Sequence, residues 1–128
     1  MRRFAPHQRR SAVRLLIATR LGAGLVALLA PRALQALFGT SGAAPDVSTR
    51  LFGVREIGYA TLLARVHGGA RRTVLGVGLA TDLADACVGA AGVRRERMSV
   101  PGLAIAVPAL AAALLGVVAL SPETEPND

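Results

Sequence analysis

The chain contains no lysine and no tryptophan, and it has a single cysteine, Cys87. All 15 of its basic residues are therefore arginine. One cysteine excludes a disulfide framework within the chain and a set of cysteine metal ligands. In an apolar segment it is expected to behave as a small buried hydrophobe. His7 and His67 lie in a tail and a turn, where solvation is more common than metal binding.

Aromatic residues are scarce, at 3% of the chain, although 52% of it is hydrophobic and the mean hydropathy is +0.47. A soluble core in a chain of 128 residues normally takes much of its packing area from Phe, Tyr and Trp. Here the apolar residues are mainly Leu, Ala and Val, accompanied by 14 Gly. Small residues let helices approach closely in lipid, so the composition favours a membrane protein of one domain.

Acidic residues are also few, with 8 Asp and Glu against 15 Arg, and the net charge is +7. Most of the arginines lie at the N-terminus and in short stretches between apolar runs. This placement is typical of membrane proteins, whose cytoplasmic loops collect basic residues. A nucleic-acid surface is the alternative, but the chain lacks interleaved aromatic residues and any recognisable binding motif. We therefore expect a lipid bilayer as the partner, and no nucleic acid.

Four apolar segments follow a basic cytoplasmic tail at residues 1–11. They cover about residues 12–30, 47–65, 73–92 and 98–122, each near the length that a transmembrane helix needs. Pro31 and Gly39 bracket a short helix after the first segment, whose apolar side chains would lie at the membrane surface. Residues 40–46 are expected to form a loop. A cleaved signal peptide is not favoured, because arginines interrupt the first apolar segment.

A tight basic turn at residues 67–72 predicts that the second and third segments form an antiparallel hairpin. Pro108 lies inside the last segment and predicts a kink there. The predicted fold is all-α, with four transmembrane helices in an antiparallel bundle and a short interfacial helix after the first span. This domain covers residues 12–120, and residues 121–128 are an acidic disordered tail.

The distribution of arginine predicts the orientation in the membrane. With the N-terminus inside, 8 arginines lie in or next to the inner tail and turn, and 4 lie in the outer loops. Basic residues are retained on the cytoplasmic side of a membrane. We therefore expect a multi-pass protein of the cell inner membrane with both termini in the cytoplasm.

Charged residues lie close to the midpoints of the first three segments. Arg20, Arg55 and Asp82 occupy these positions, and Glu56 follows Arg55 directly. A charge at the centre of a membrane helix costs about 2.5–3.5 kcal/mol on an insertion scale, so isolated charges would make three spans marginal. At a common depth they can pair instead. We expect Arg55 to pair with Asp82 or Asp85. Arg20 should take the remaining carboxylate or Glu56.

The helical periodicity places these charges on defined faces. One face of the second segment holds Phe52, Arg55, Glu56, Tyr59 and Leu63, and the opposite face holds Gly53, Val54, Ile57, Ala60 and Ala64. Arg20 shares a face with Leu16, Ala23, Gly24 and Ala27. Small residues beside a charge let a neighbouring helix come close enough for its partner to reach.

Two interpretations of the cluster stay open. The charges form a clamp that fixes helix register, or they form a polar site for a proton, an ion or a small ligand. The candidate ligand- or proton-binding residues are Arg20, Arg55, Glu56, Tyr59, Asp82 and Asp85. Two aspartates three residues apart occur in some membrane enzymes, but no second aspartate-rich motif is present. No catalytic, cofactor-binding or metal-binding residue is predicted.

A family resemblance rests on these same residues. A pattern typical of a family of small uncharacterised bacterial integral membrane proteins, a domain of unknown function, resembles four parts of this chain: Pro31-Arg32, Gly39, residues 52–56 and Asp82 with Asp85. The second helix of the family has Arg-x-x-Gly-x-Arg followed by Asp or Glu, and its third helix has aspartates. The resemblance covers about residues 12–92 and implies a four-helix membrane protein. It brings no activity with it.

The sequence thus predicts a small integral membrane protein that acts as a binding or accessory component. Its expected partners are the bilayer and either further copies of itself or another membrane protein. A small proton- or solute-coupled carrier subunit is the alternative, because intramembrane charges often mark transport pathways. A membrane-embedded enzyme is a weaker alternative.

Overall fold

The structure is a computed structural model that describes residues 5–38, 43–94 and 103–121. In these ranges the chain is almost entirely helical and contains no strand. The helices are α1 Pro6–Leu29, α2 Pro31–Phe38, α3 Ala43–Arg65, α4 Gly68–Arg94 and α5 Leu103–Leu120. The all-α prediction is confirmed, and so is the short helix that follows the first apolar segment.

Helix α1 begins at Pro6, so the second half of the predicted basic tail is helical. Pro6 is well suited to a first helical position because its φ is already close to the helical value. The Ala5 N–H donates to the Gln8 Oε1 at 3.0 Å and so closes the first turn. The prediction placed the start of this helix at residue 12 because the apolar run begins there. Arginine and glutamine are also good helix formers, so the helix extends before the apolar run.

Helix α3 begins at Ala43, which corrects the predicted loop at residues 40–46. Pro45 does not prevent this, because a proline in the first turn removes no intrahelical hydrogen bond. Asp46 lies in the same turn, where a carboxylate interacts favourably with the helix dipole. It also accepts a hydrogen bond of 2.6 Å from the Gln35 Nε2, which ties α2 to α3. Residues 39–42 lie outside the described part.

The connection between α3 and α4 is shorter than the predicted turn at residues 67–72, since only Val66 and His67 lie between the helices. Gly68 starts α4 with a φ of +57°, a conformation that residues with a side chain rarely adopt. Arg71 lies in the first turn of α4, and its Nε donates to the Val66 carbonyl at 2.9 Å. This bond satisfies a carbonyl at the end of α3.

Helix α4 continues to Arg94, beyond the predicted end of the third segment, and Pro108 lies inside α5 as expected. Residues 95–102 lie outside the described part, and so does most of the predicted acidic tail at 121–128. The kink at Pro108 stays a prediction.

The helices pack mainly in the pairs α1 with α3 and α4 with α5, and α1 also packs against α5. Helices α3 and α4 make far fewer contacts, although they are consecutive in the chain. Arg55 meets Asp85 and Tyr59 meets Thr81, so the two helices run in opposite directions, as the hairpin prediction required. What the sequence did not indicate is that these two backbones stay apart and are joined by long polar side chains.

Apolar side chains cover the outside of the bundle, and its centre is polar. Leu29, Val88 and Leu114 are 81%, 72% and 68% exposed, and no large side chain of the described residues is fully buried. The buried hydrophobic cluster is small: Ala12, Leu16, Leu63, Leu75 and Ala119. Cys87 is exposed, which corrects its expected burial.

Among the described residues, α1 is the one helix that is long and apolar enough to cross a membrane by length and composition. The described side chains of α5, Val107–Leu120, form a shorter apolar helix.

Candidate functional site

The candidate site lies beside a close crossing of α1 and α3. A Cβ added to Gly24 would lie 2.7 Å from the Ile57 Cγ1 and 2.8 Å from the Gly53 carbonyl oxygen. A Cβ added to Gly53 would lie 2.8 Å from the Gly24 carbonyl oxygen. Such distances are far below van der Waals contact, so both positions require glycine. The crossing places Arg20, one turn before Gly24, next to Glu56 on α3.

The buried surface of α3 is wider than its predicted charged face. Gly53 and Ala60, predicted opposite Arg55 and Glu56, are buried with Glu56, because α1 packs over them. Val54, from the same predicted face, is exposed. In α1, Leu16, Gly24 and Ala27 are buried with Arg20 as predicted, but Ala23 is exposed.

Arg20 forms the centre of the site and connects three helices. Its Nη1 donates to the Glu56 Oε2 at 2.6 Å, and its Nη2 donates to the Asp82 Oδ2 at 2.6 Å. The exposures of Arg20, Glu56 and Asp82 are 6%, 5% and 4%. Charge-assisted hydrogen bonds of this length are among the strongest in proteins. One guanidinium on α1 therefore fixes a carboxylate on α3 and another on α4.

Tyr59 and Gly78 complete the surroundings of the Arg20 guanidinium. Its Cζ lies 5.3 Å from the centroid of the Tyr59 ring, within range of a cation–π interaction. The Thr81 hydroxyl bonds the Val77 carbonyl at 3.0 Å, so in its 3.1 Å contact with Thr81 the Tyr59 hydroxyl is the donor. A Cβ on Gly78 would lie 3.3 Å from the Arg20 Nη2, so glycine leaves the room that Arg20 needs.

Arg55 forms a second, less buried pair between α3 and α4. Its Nη2 donates to the Asp85 Oδ2 at 2.7 Å, and both side chains are 34% exposed. The same Nη2 lies 3.3 Å from the Glu56 Oε1. The Arg55 Cζ lies 5.1 Å from the centroid of the Phe52 ring.

The five charges form one chain that alternates in sign. The order is Asp82, Arg20, Glu56, Arg55, Asp85. Two guanidinium groups and three carboxylates leave a net charge of −1 when all are ionised. Alternation places an opposite charge beside each group, which compensates part of the cost of burial.

The predicted pairing of the charges is confirmed. Arg55 pairs with Asp85, while Arg20 takes both remaining partners, Glu56 and Asp82. Sequence reasoning missed Thr81 and the contact of Phe52 with Arg55. A signal was present for Thr81, because it lies one helical turn before Asp85 and faces the same neighbouring helix.

The space around the cluster is small. A cavity of about 10 Å³ lies beside Arg20, Tyr59 and Asp82, which is about the room for one water molecule. The Glu56 Oε1 and the Arg55 Nε are buried and have no hydrogen-bond partner in the part of the chain that the structure describes. Within that part, no group of three or more His, Cys, Asp or Glu side chains is arranged to hold a metal ion. The arrangement pairs opposite charges from three helices and leaves room for about one water molecule beside them.

Comparison of the chain with protein-family models, curated proteins and solved structures found no match. The resemblance to a family of small bacterial membrane proteins therefore stays a prediction.

Proposed function

We propose that the chain is an integral membrane protein with α1, α3, α4 and α5 as its four spans and α2 at the membrane surface. The observation that supports this most directly is the distribution of polarity. Arg20, Glu56 and Asp82 are buried, whereas large aliphatic side chains such as Leu29 and Val88 are exposed. In water, a fold with apolar side chains inside and charged side chains outside would be favoured, since exposed apolar area is costly in water. The same area has no such cost in lipid.

The dimensions of the helices support the same proposal. Only 28% of the apolar window of α1 is buried, whereas the core helix of a soluble protein is mostly buried. Helices α3 and α4 have 23 and 27 residues, enough to cross a hydrocarbon core of about 30 Å. Their central charges lower their hydropathy, and these are the charges that pair with each other.

The proposed role is a binding or accessory component of the inner membrane. The buried part of the cluster, around Arg20, acts as a clamp between three helices. The half-buried pair of Arg55 and Asp85 lies where α3 and α4 make few backbone contacts. A helix from another copy or from a partner protein can reach a polar group there. The suggested family membership agrees with this role and adds no activity.

Membrane extraction tests the placement. We expect the full-length protein to stay in the membrane pellet after washing with alkaline carbonate and with high salt, and to dissolve only in detergent. A peripheral protein is released by either wash. Carbonate releases proteins that are held at the membrane by charge, whereas a span is held by its apolar side chains. Release by carbonate would therefore overturn the four-span proposal.

A pair of variants tests the accessory role. Arg55→Ala with Asp85→Ala removes both members of the half-buried pair, so neither is left without the other, and Glu56 keeps its bond to Arg20. We expect this double variant to keep its thermal stability within about 1 kcal/mol, but to lose the oligomer or the co-purifying membrane protein. Val54→Ala, which changes an exposed side chain of α3, is the control. If both variants keep the same partners, this surface is not the contact.

A proton-coupled carrier subunit is the second candidate. Three features favour a proton over any larger solute: the net charge of −1, the Glu56 Oε1 that accepts no hydrogen bond from the described residues, and the cavity of about 10 Å³. The test is proton uptake by vesicles that contain the purified protein and a pH-sensitive dye. Uptake that is lost in Asp82→Asn would support the carrier. Vesicles with wild-type protein that take up no protons would exclude it.

A further inference from the structure

A second, larger cavity opens at the opposite end of the bundle from α2. Its volume is about 860 Å³, and it lies where α1 and α4 begin and α3 and α5 end. Five arginines line it: Arg9, Arg10 and Arg14 from α1, and Arg71 and Arg72 from α4. No acidic residue is among the described residues that line it. The arginines of α1 and those of α4 are separated by more than 50 positions in the sequence, and the fold brings the two groups to one cavity.

The five arginines differ in what they already bind. Arg9 donates to the Ala119 carbonyl at 3.4 Å and Arg71 donates to the Val66 carbonyl at 2.9 Å, so both also hold the ends of helices. Arg10, Arg14 and Arg72 form no ion pair within the described part of the chain. Their guanidinium groups are fully charged and present several N–H donors in one plane, a geometry that matches phosphate.

The sign of the potential in this cavity is set by the arginines. The positive ends of the α1 and α4 dipoles point toward the cavity, but the negative ends of α3 and α5 lie there too, so the dipoles largely cancel. Among the described residues that line the cavity, five guanidinium groups therefore remain with no carboxylate beside them, and they favour an anion.

The rest of the lining distinguishes among anions. Val13, Ile17 and Leu75 form apolar walls between the arginines. A small, fully hydrated anion gains nothing from such walls, whereas a molecule with a charged headgroup and an acyl chain contacts both surfaces. In the proposed orientation this end of the bundle lies at the cytoplasmic leaflet, where anionic lipids are found.

We propose that this cavity binds the phosphate group of an anionic phospholipid, with the first part of an acyl chain against Val13, Ile17 and Leu75. The inference rests on the proposed placement of the bundle in a membrane. It assigns to the arginines at this end a specific binding role in addition to their effect on orientation.

The test uses the full-length protein in micelles of an uncharged detergent and a fluorescent phosphatidylglycerol as the probe. Phosphatidylcholine, which has a phosphate but no net charge, is the comparison lipid. We expect phosphatidylglycerol to bind more tightly. Replacing Arg10, Arg14 and Arg72 by glutamine should weaken its binding by about a hundred-fold, at about five-fold for each arginine. The single variant Arg72→Gln should show about a five-fold loss.

A triple variant with the same loss of charge is the matched control. Arg32, Arg50 and Arg65 are exposed and do not line the cavity, and Arg65 lies at the same end of the bundle. Their replacement by glutamine should leave the affinity nearly unchanged. Equal losses in the two triple variants would show that binding follows net charge and would overturn the site. Thermal unfolding of each variant confirms that it is folded.

Further outcomes distinguish a lipid phosphate from free phosphate as the ligand. They also distinguish a failure of this inference from a failure of the proposed membrane placement. Inorganic phosphate that displaces the probe at comparable concentrations would assign the cavity to a soluble ligand and overturn the lipid. A protein that resists carbonate extraction but does not prefer phosphatidylglycerol would overturn this inference and leave the membrane placement intact. Release by carbonate would remove the membrane placement itself.

Discussion

Arg20 has no close substitute in this bundle, because its guanidinium binds carboxylates on two different helices at once. The two N–H···O bonds leave from different nitrogens, each at 2.6 Å, toward Glu56 and Asp82. Lysine supplies the same charge as a single point with a flexible stem. The charge alone therefore does not account for the arrangement, and the planar fork of arginine is required.

Arg20→Lys tests this requirement. We expect it to lower the free energy of unfolding in detergent by about 1–3 kcal/mol, because one of two buried carboxylates loses its partner. Arg20→Ala leaves both carboxylates without Arg20 and should cost about 3–5 kcal/mol. Arg50→Lys, at an exposed position of α3, is the control and should have no effect. If Arg20→Lys is as stable as the wild type, the fork geometry is unimportant.

Double-mutant cycles test which charges act together. We expect Arg20 with Asp82 and Arg55 with Asp85 to show coupling of about 0.5–3 kcal/mol, with the larger value for the buried pair. The cycle of Arg55 with Asp82 is the control and should show weaker coupling, since Arg20 and Glu56 stand between them in the chain of charges. Thermal unfolding of the single and double variants gives these values. Strong coupling in the control cycle would mean that the pairing differs from the one described.

At the scale of the helix, the crossing of α1 and α3 depends on two glycines that touch backbone to backbone. Gly24 and Gly53 belong to this contact, whereas a Cβ on Gly22 or Gly58 would meet nothing within 4 Å. All four positions are helical glycines in apolar segments. Periodicity places Gly24 on the face of Arg20, but it does not identify Gly53 as the residue that Gly24 contacts. Their different surroundings make the α1–α3 crossing directly testable.

Gly24→Ala and Gly53→Ala should each lower the free energy of unfolding by about 1–3 kcal/mol, because the added methyl group forces the helices apart. The movement also separates Arg20 from Glu56. Gly22→Ala and Gly58→Ala are the controls, and they should be neutral or stabilising by up to about 1 kcal/mol, since alanine favours the helix. Equal effects in the two groups would show that α1 and α3 do not cross here.

The helices and the charge pairs could be predicted from the sequence, and the helix arrangement could not. The short helix α2 was predictable because Pro31 is typical of a first helical position. The charge pairs were predictable because charges at one depth in apolar segments have few partners other than each other. Periodicity on α3 divides Gly53 from Glu56, yet both are buried, because α1 and the polar side chains of α4 occupy adjacent sides. A single-sequence pattern shows which faces exist and not which neighbour covers each face.

At the scale of the whole molecule, polarity varies in two directions. Across the bundle, charges lie at the centre and aliphatic side chains lie outside. Along the bundle, the end that holds the starts of α1 and α4 is strongly basic. In the sequence, these arginines served only to predict the orientation in the membrane. Their convergence on one cavity depends on α1 and α4 starting at the same end, which the fold decides.

The orientation of α3 provides a test of the whole arrangement. Its 23 residues span about 34 Å, so residues before and after it should lie on opposite sides of the membrane. In the proposed orientation the basic end faces the cytoplasm, so position 41 should lie outside and position 69 inside. The exposed Cys87 is first replaced by serine, so that each protein has one cysteine.

In that background, we expect Ser41→Cys to react with a membrane-impermeant thiol reagent in intact cells, and Gly69→Cys to react only after permeabilisation. The reverse pattern would place the basic end outside and would contradict the assigned orientation. Labelling of both positions in intact cells would mean that α3 does not cross the membrane. The charges at its centre would then not lie inside the bilayer. Labelling of position 41 alone requires both that α3 spans and that the arginine-rich cavity faces the cytoplasmic leaflet.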